Sequence, residues 1–218
     1  MCGIVGYTGN KASSAVLISG LKALEYRGYD SAGLAVEEKD GIKIVKSVGK
    51  VAVLESEASN CTLTGTTGIA HTRWATHGKP TTCNSHPHTD CTGNIVVVHN
   101  GIIENYQSLK EELLKKGHTF KSETDTEVIV HLLEEELKTV DSNYEERFLQ
   151  AAADVTKKLE GSYAVGILWK KASGMIIGSR VKSPLVCGAG DNENFLGSDV
   201  SAFNQWTRHA IYLDDYDI

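Results

Sequence analysis

The sequence predicts an α+β fold in which sheets are covered by helices, and three features carry that reading. Strand-like runs stand at both ends of the chain, amphipathic helical stretches fill its middle, and no Ser/Gly/Pro-rich linker or solenoid-period repeat divides the 218 residues. Residues 2–8, CGIVGYT, form a short apolar run flanked by glycine. Residues 12–26 then place Val16, Leu17, Leu21 and Leu24 at helical spacing and stop before Gly28. Two strands, 31–36 and 42–48, are expected to join through a turn at Asp40-Gly41. A strand at 67–73 leads into a polar segment rich in glycine and histidine, 74–93. Ile95 to Val98 follow as a continuous apolar run of the kind buried on both faces. Helices are expected at 105–116, 125–138 and between 144 and 159, and strands return at 162–170, 174–180, 184–188 and 194–197.

Composition excludes several classes. Hydrophobic residues make up 41% and charged residues 23% of the chain, ordinary values for one globular domain over residues 1–218. The net charge of −6, with no Lys/Arg cluster, argues against nucleic acid as a partner, because phosphate neutralisation needs a basic surface. The longest apolar stretch, Tyr163 to Trp169, is strand-sized and far below the ~20 residues that span a bilayer, so no membrane partner is expected. Five cysteines with no secretory leader point to free thiols and a cytoplasmic location, and an odd count leaves at least one thiol outside any pairing scheme.

Five local patterns carry chemistry. Cys2 follows an initiator Met whose removal leaves a thiol and a free α-amine on one residue, a nucleophile beside its own base. A terminal Cys also serves as a small hydrophobe in an edge strand. Asn100-Gly101 reads either as a hairpin turn or as two N–H donors that could stabilise an oxyanion. In HTRWATHG, residues 71–78, Arg73 can clamp a carboxylate while Trp74 and His77 close over a small ligand, or Arg73 and Trp74 simply anchor a loop. Asp125 lies in SETDTEV, where Ser122 with Asp125, or Thr124 with Glu127, has capping-box spacing; an inward-facing Asp125 could instead bind an ammonium. Cys83, His86, His88 and Cys91 offer four potential metal ligands within nine residues, an awkwardly tight loop for zinc.

Taken in order, MCGIVGYTG, LEYRGYDSAGLAV, GIAHTRWATHG, HNGIIENY and SETDTEV resemble the glutamine amidotransferase domain of the glucosamine-6-phosphate synthases, or isomerising glutamine:fructose-6-phosphate aminotransferases. These belong to the class II, N-terminal-cysteine amidotransferase family. The likeness continues more loosely through KSPLVCGAGDNENFLGSD, residues 182–199, and so covers nearly the whole chain. It implies an N-terminal nucleophile hydrolase fold, a four-layer αββα sandwich with two mainly antiparallel sheets. It also implies Cys2 as the nucleophile, Asn100 and Gly101 as the oxyanion hole, and Arg27 as an active-site arginine beside Cys2. Arg73 would bind the glutamine carboxylate, Asp125 its amino end, and Trp74, Thr76 and His77 would form the loop that closes over it. No metal and no cofactor are implied. The implied activity is hydrolysis of L-glutamine to glutamate and ammonia. The ammonia would pass to C-terminal sugar-isomerase domains that lie outside this sequence, in an enzyme that is a homo-oligomer at full length.

Overall fold

The computed structural model describes residues 2–74 and 78–218. Its elements run β1 (Gly3–Thr8), α1 (Ser13–Leu24), β2 (Ser31–Glu38), β3 (Gly41–Val48), α2 (Val51–Ser59), β4 (Thr67–Arg73), β5 (His88–Thr89) and β6 (Ile95–Ile103). The second half continues with α3 (Tyr106–Lys115), α4 (Glu127–Leu137), α5 (Tyr144–Thr156), β7 (Gly161–Trp169), β8 (Ile176–Val181), β9 (Val186–Ala189), β10 (Asn194–Gly197) and β11 (His209–Tyr212). Two antiparallel sheets result, a seven-stranded one in the order β11-β9-β10-β1-β4-β2-β3 and a four-stranded one in the order β5-β6-β7-β8. This is the expected αββα sandwich.

Strand alternation assigns the layers, because successive side chains point to opposite faces. On β1, Val5 and Tyr7 join Leu17, Leu21 and Leu24 of α1 and Leu54 of α2 in a core beneath the seven-stranded sheet. Ile4 turns the other way and meets Ile69, Val96, Val98, Ala164 and Leu196 in a layer between the sheets. On the far side of the four-stranded sheet, Val97, Val165 and Ile167 pack against Val128, Leu132, Leu133 and Phe148 of α4 and α5. Each fully buried leucine of α1 contributes roughly 1.5–3 kcal/mol through burial.

The same parity builds the site. His71 shares a face with Ile69, and Asn100 shares one with Val96 and Val98, so at one end the dry layer between the sheets finishes in two polar side chains. His99 points the opposite way, toward the start of α4.

Several elements depart from the sequence expectation. β6 does not turn at Asn100-Gly101 but continues through both to Ile103, with Asn100 opposite Ala164 and Gly101 opposite Tyr163. Gly101 has φ 122°, and a Cβ there would stand 1.9 Å from the Ser162 carbonyl oxygen, so the glycine serves close approach of two strands. The β2–β3 hairpin pairs Glu38 with Gly41, which makes Lys39-Asp40 its two loop residues, one position earlier than expected. Helix α2 carries no sequence signal of its start, since Lys50 precedes it with no capping side chain and only Val51, Leu54 and Ala58 are buried. Strand β11 is an exposed edge without apolar alternation, and β5 is two residues long.

Candidate active site

Cys2 stands at the head of β1, half-buried, with its main chain and its thiol held separately. The Arg27 Nε donates to the Cys2 carbonyl at 3.0 Å, and the Trp74 backbone N–H donates to Sγ at 3.2 Å. Arg27 reaches this position from a 3-10 turn, Glu25–Arg27, that ends at Gly28. A Cβ on Gly28 (φ 95°) would lie 2.2 Å from the Trp74 ring, so glycine is the residue that lets the indole settle there. Burial pushes the Cys2 thiol above its ordinary pKa, and the Trp74 N–H opposes that shift only in part. A thiol so placed rests in its protonated form at neutral pH and needs a base to become a nucleophile.

Asn100 arrives from the other sheet. Its Nδ2 donates to Ser198 Oγ at 2.8 Å and to the Cys2 carbonyl at 3.3 Å, while its Oδ1 faces His71 Nε2 at 2.9 Å. Because that oxygen only accepts, the network assigns the His71 proton to Nε2. Burial drives the His71 pKa down to about 3, so the ring is neutral and acts as a fixed donor that sets which way the Asn100 amide points. Ser198 completes the bridge by accepting from the Ile4 N–H at 2.8 Å. Sequence reasoning misses both His71 and Ser198. His71 sits inside HTRWATHG, but its contact with Asn100 requires both sheets to be in place.

The pocket above these groups has a volume of about 320 Å³, and its walls include Cys2, Arg73, Trp74, Gly101, Asp125 and Thr126. That lies at the small end of the ~300–1,000 Å³ range of small-molecule sites. Arg73 is buried, with its guanidinium donating to the carbonyls of Gly78 at 3.2 Å and Lys79 at 3.4 Å, which ties it to the segment that begins at Gly78. Asp125 is also buried, but it caps nothing. Its Oδ2 accepts the Ile103 N–H at 2.8 Å, and α4 begins two residues later without a side-chain cap. Neither expected capping box forms. Glu127 instead accepts from the Lys121 N–H and from the N–H and hydroxyl of Ser122, which frees Asp125 to face the pocket. The structure thus brings Cys2, Arg27, Arg73, Trp74, Asn100, Gly101 and Asp125 together, while Thr76 and His77 lie outside the described residues.

Beneath the pocket is a stack of four histidines. His86 lies parallel to His71 with ring centroids 4.1 Å apart, edge-on to His88 at 4.7 Å, and 6.4 Å from His99. His86 Nδ1 accepts the His99 backbone N–H at 3.1 Å, and Thr126 Oγ1 bonds His99 Nδ1 at 2.8 Å. The run Cys83, His86, His88, Cys91 therefore does not converge on one point. Its histidines belong to this stack, Cys83 donates to the Lys121 carbonyl, and Cys91 faces a different group of residues.

A half-buried thiol at the head of a central strand of an αββα sandwich is the arrangement of the N-terminal nucleophile hydrolases. Residues 71–205 match the family described as "Glutamine amidotransferase domain", and the chain belongs to that family. It is 52% identical over 215 residues, 99% of its length, to the glutamine–fructose-6-phosphate aminotransferase (isomerizing) of Pyrococcus horikoshii, and 50% identical over 218 residues to that of Thermus thermophilus. In both cases it spans 35% of the relative's length. Among solved structures, the glutamine phosphoribosylpyrophosphate amidotransferase of B. subtilis superimposes with a TM-score of 0.76 at 25% identity, over 97% of this chain and 44% of that one. A regulatory enzyme of purine biosynthesis shares the fold with a TM-score of 0.79 at 24% identity.

Proposed function

We propose that residues 1–218 form the glutaminase part of an isomerising glutamine:fructose-6-phosphate aminotransferase, hydrolysing L-glutamine to glutamate and ammonia through a Cys2 thioester. The observation that carries this reading is one small pocket into which Cys2, a buried cation and a buried carboxylate all project. Arg73 matches the carboxylate of free glutamine and Asp125 its ammonium, leaving the side-chain carboxamide to reach Cys2.

With Met1 removed, the Cys2 α-amine takes the thiol proton, and the thiolate attacks the carboxamide carbon. Negative charge develops on the carboxamide oxygen beside Asn100 and Gly101. Of the two bonds made by Asn100 Nδ2, the one to the Cys2 carbonyl is longer, 3.3 Å against 2.8 Å to Ser198, so it is the one exchanged for the oxyanion. The ammonium formed at Cys2 then protonates the leaving nitrogen. The C–N bond breaks, ammonia departs, and water adds to the thioester to release glutamate and regenerate the thiol. We assign Trp74, Thr76 and His77 a part in covering bound glutamine, as the family resemblance implies.

Identity near 50% along the whole chain to enzymes named for fructose 6-phosphate, against 25% to the phosphoribosylpyrophosphate amidotransferase, favours fructose 6-phosphate as the acceptor over a different one. Sugar-isomerase domains of the same polypeptide would receive the ammonia, in a cytoplasmic homo-oligomer. No described helix is long and apolar enough to cross a membrane. The test is glutaminase activity of the Met-free chain beside Cys2→Ala. The variant is expected to fold normally and release no glutamate, and near-normal turnover by it would overturn the mechanism. Assay of the full-length enzyme for glucosamine 6-phosphate separates this acceptor from others.

A further inference from the structure

Away from the pocket, the fold gathers Cys91, His118, His131 and Glu134 from three separate segments, and we propose that they form a zinc site. Cys91 lies in the turn between β5 and β6, His118 follows α3, and His131 and Glu134 stand one turn apart on α4. One donor atom from each lies within 4.8 Å of all the others, and this is the one such group among the described residues. Metal–ligand bonds of ~2.0–2.3 Å place tetrahedral donors roughly 3.3–3.8 Å apart. Cys91 Sγ is already 3.8 Å from His118 Nδ1 and 3.7 Å from His131 Nδ1. Glu134 Oε2 lies 2.9 Å and 3.1 Å from the same two nitrogens and has only a few tenths of an ångström to give.

The surroundings match the chemistry. Both imidazoles turn Nδ1 to the centre and Nε2 outward to a carboxylate, His118 to Glu135 at 3.0 Å and His131 to Glu127 at 3.8 Å. An outer carboxylate within hydrogen-bond reach, as Glu135 is of His118, fixes the tautomer of a metal-bound histidine and raises its basicity, whereas Glu127 lies beyond that reach of His131. His131 Nε2 is buried and makes no hydrogen bond. One thiolate, one carboxylate and two neutral imidazoles balance a divalent charge, and the set suits Zn²⁺. Binding releases the Cys91 thiol proton and any Nδ1 protons to solvent, with no redox change. Both histidines are buried while Cys91 is exposed, which leaves the ion a route in. Four protein ligands make the site structural, pinning the β5–β6 turn and the end of α3 to α4, the helix preceded by Asp125 and Thr126.

The 218-residue chain, stripped with chelator and dialysed, is titrated with Zn²⁺ against a chromophoric chelator, beside Cys91→Ser, Cys83→Ser and Glu135→Gln. One Zn²⁺ per chain is expected, with affinity at least about tenfold weaker in Cys91→Ser, unchanged in Cys83→Ser, and weakened about 10–100-fold in Glu135→Gln. Co²⁺ should give a thiolate-to-metal charge-transfer band that only Cys91→Ser loses. Cys91 is exposed, so its serine variant tests the site without opening the core, and circular dichroism checks its fold. Equal zinc binding by wild type and Cys91→Ser, or a cobalt complex lacking the thiolate band, would show an ion-pair network only and overturn the proposal.

Discussion

Two groups of histidines are buried in this domain, one under the pocket and one along α4, and the fold treats them in opposite ways. His71, His86 and His88 are buried at the pocket with hydrogen bonds to an amide, to hydroxyls and to backbone but, among the described residues, to no carboxylate. The cations Arg73 and Lys46 act on them more than any anion except Glu127 beside His88. Burial therefore lowers all three pKa values, His71 to about 3 and the other two well below the ordinary value. His131 is also buried, and burial alone would favour its neutral ring. The nearby Glu127 carboxylate and the hydrogen-bonded Glu134 outweigh that and hold its pKa up. What surrounds an imidazole, rather than burial by itself, decides what it does. With no carboxylate bonded to it, His71 stays a neutral, rigid donor that can aim Asn100 without adding charge beside the proposed oxyanion. Carboxylate surroundings make a set fit for a cation.

The largest way to break the contrast is at the amide the first group aims. Asn100→Ala is expected to lower kcat for glutamine about 10²–10³-fold with a smaller effect on KM, the usual cost of losing one oxyanion donor. A merely structural Asn predicts a lower Tm with kcat intact, so both are measured on one variant. Next in size is Asp125→Asn, which keeps an oxygen for the Ile103 N–H but loses the charge. If Asp125 holds the glutamine ammonium, kcat/KM falls roughly tenfold to a hundredfold, since charge-assisted bonds are worth ~1.5–3 kcal/mol. Normal kinetics would leave Asp125 a strand-end acceptor only.

A smaller effect sharpens the positioning role of His71. His71→Leu removes the donor that orients the Asn100 amide and is expected to reduce kcat about tenfold with KM little changed, on the scale of other misplaced catalytic groups. His71→Gln, which restores an N–H, should recover most of the loss. Equal kcat in both variants would reduce His71 to packing.

Much of this arrangement is legible in the amino-acid sequence, and the remainder has a physical reason for leaving no mark there. The strands and helices with strong apolar periodicity, β1, α1, α3, α4 and β7, lie within a few residues of their expected places because burial on one face imposes the pattern. Helix α2 and strand β11 bury too little to leave one. Among site residues, Cys2, Arg73, Asn100 and Asp125 stand out as chemistry-bearing types in dense motifs. Ser198 and His71 act only through partners 98 and 29 residues away, and local spacing holds no trace of that. The same holds for Cys91 with His118 and His131. The compact Cys/His run is the metal candidate that spacing suggests, yet the ligand-like set is spread from residue 91 to residue 134.

The smallest effect is read without turnover. A histidine whose folded pKa is depressed contributes stability in full above its unfolded value near 6.5, and loses it as pH falls from there through the folded value. For His71 that window runs from about 6.5 down to about 3. Acidification from pH 7 to pH 4 should therefore lower Tm, while ring signals of His71, His86 and His88 in the native protein stay those of neutral imidazole at pH 5. A native-state titration of any of the three near 6.5 would contradict the sealed, neutral stack.

The central claim is that Cys2, half-buried beside Asn100, is the nucleophile, although Cys61, Cys83 and Cys91 are all more exposed. Intact mass and peptide mapping after incubation of the Met-free chain with a glutamine-like electrophile tests it most directly. One adduct, on Cys2, suppressed by excess glutamine, is the expected result. Labelling confined to the exposed thiols, or labelling of Cys2 that glutamine does not slow, would contradict it.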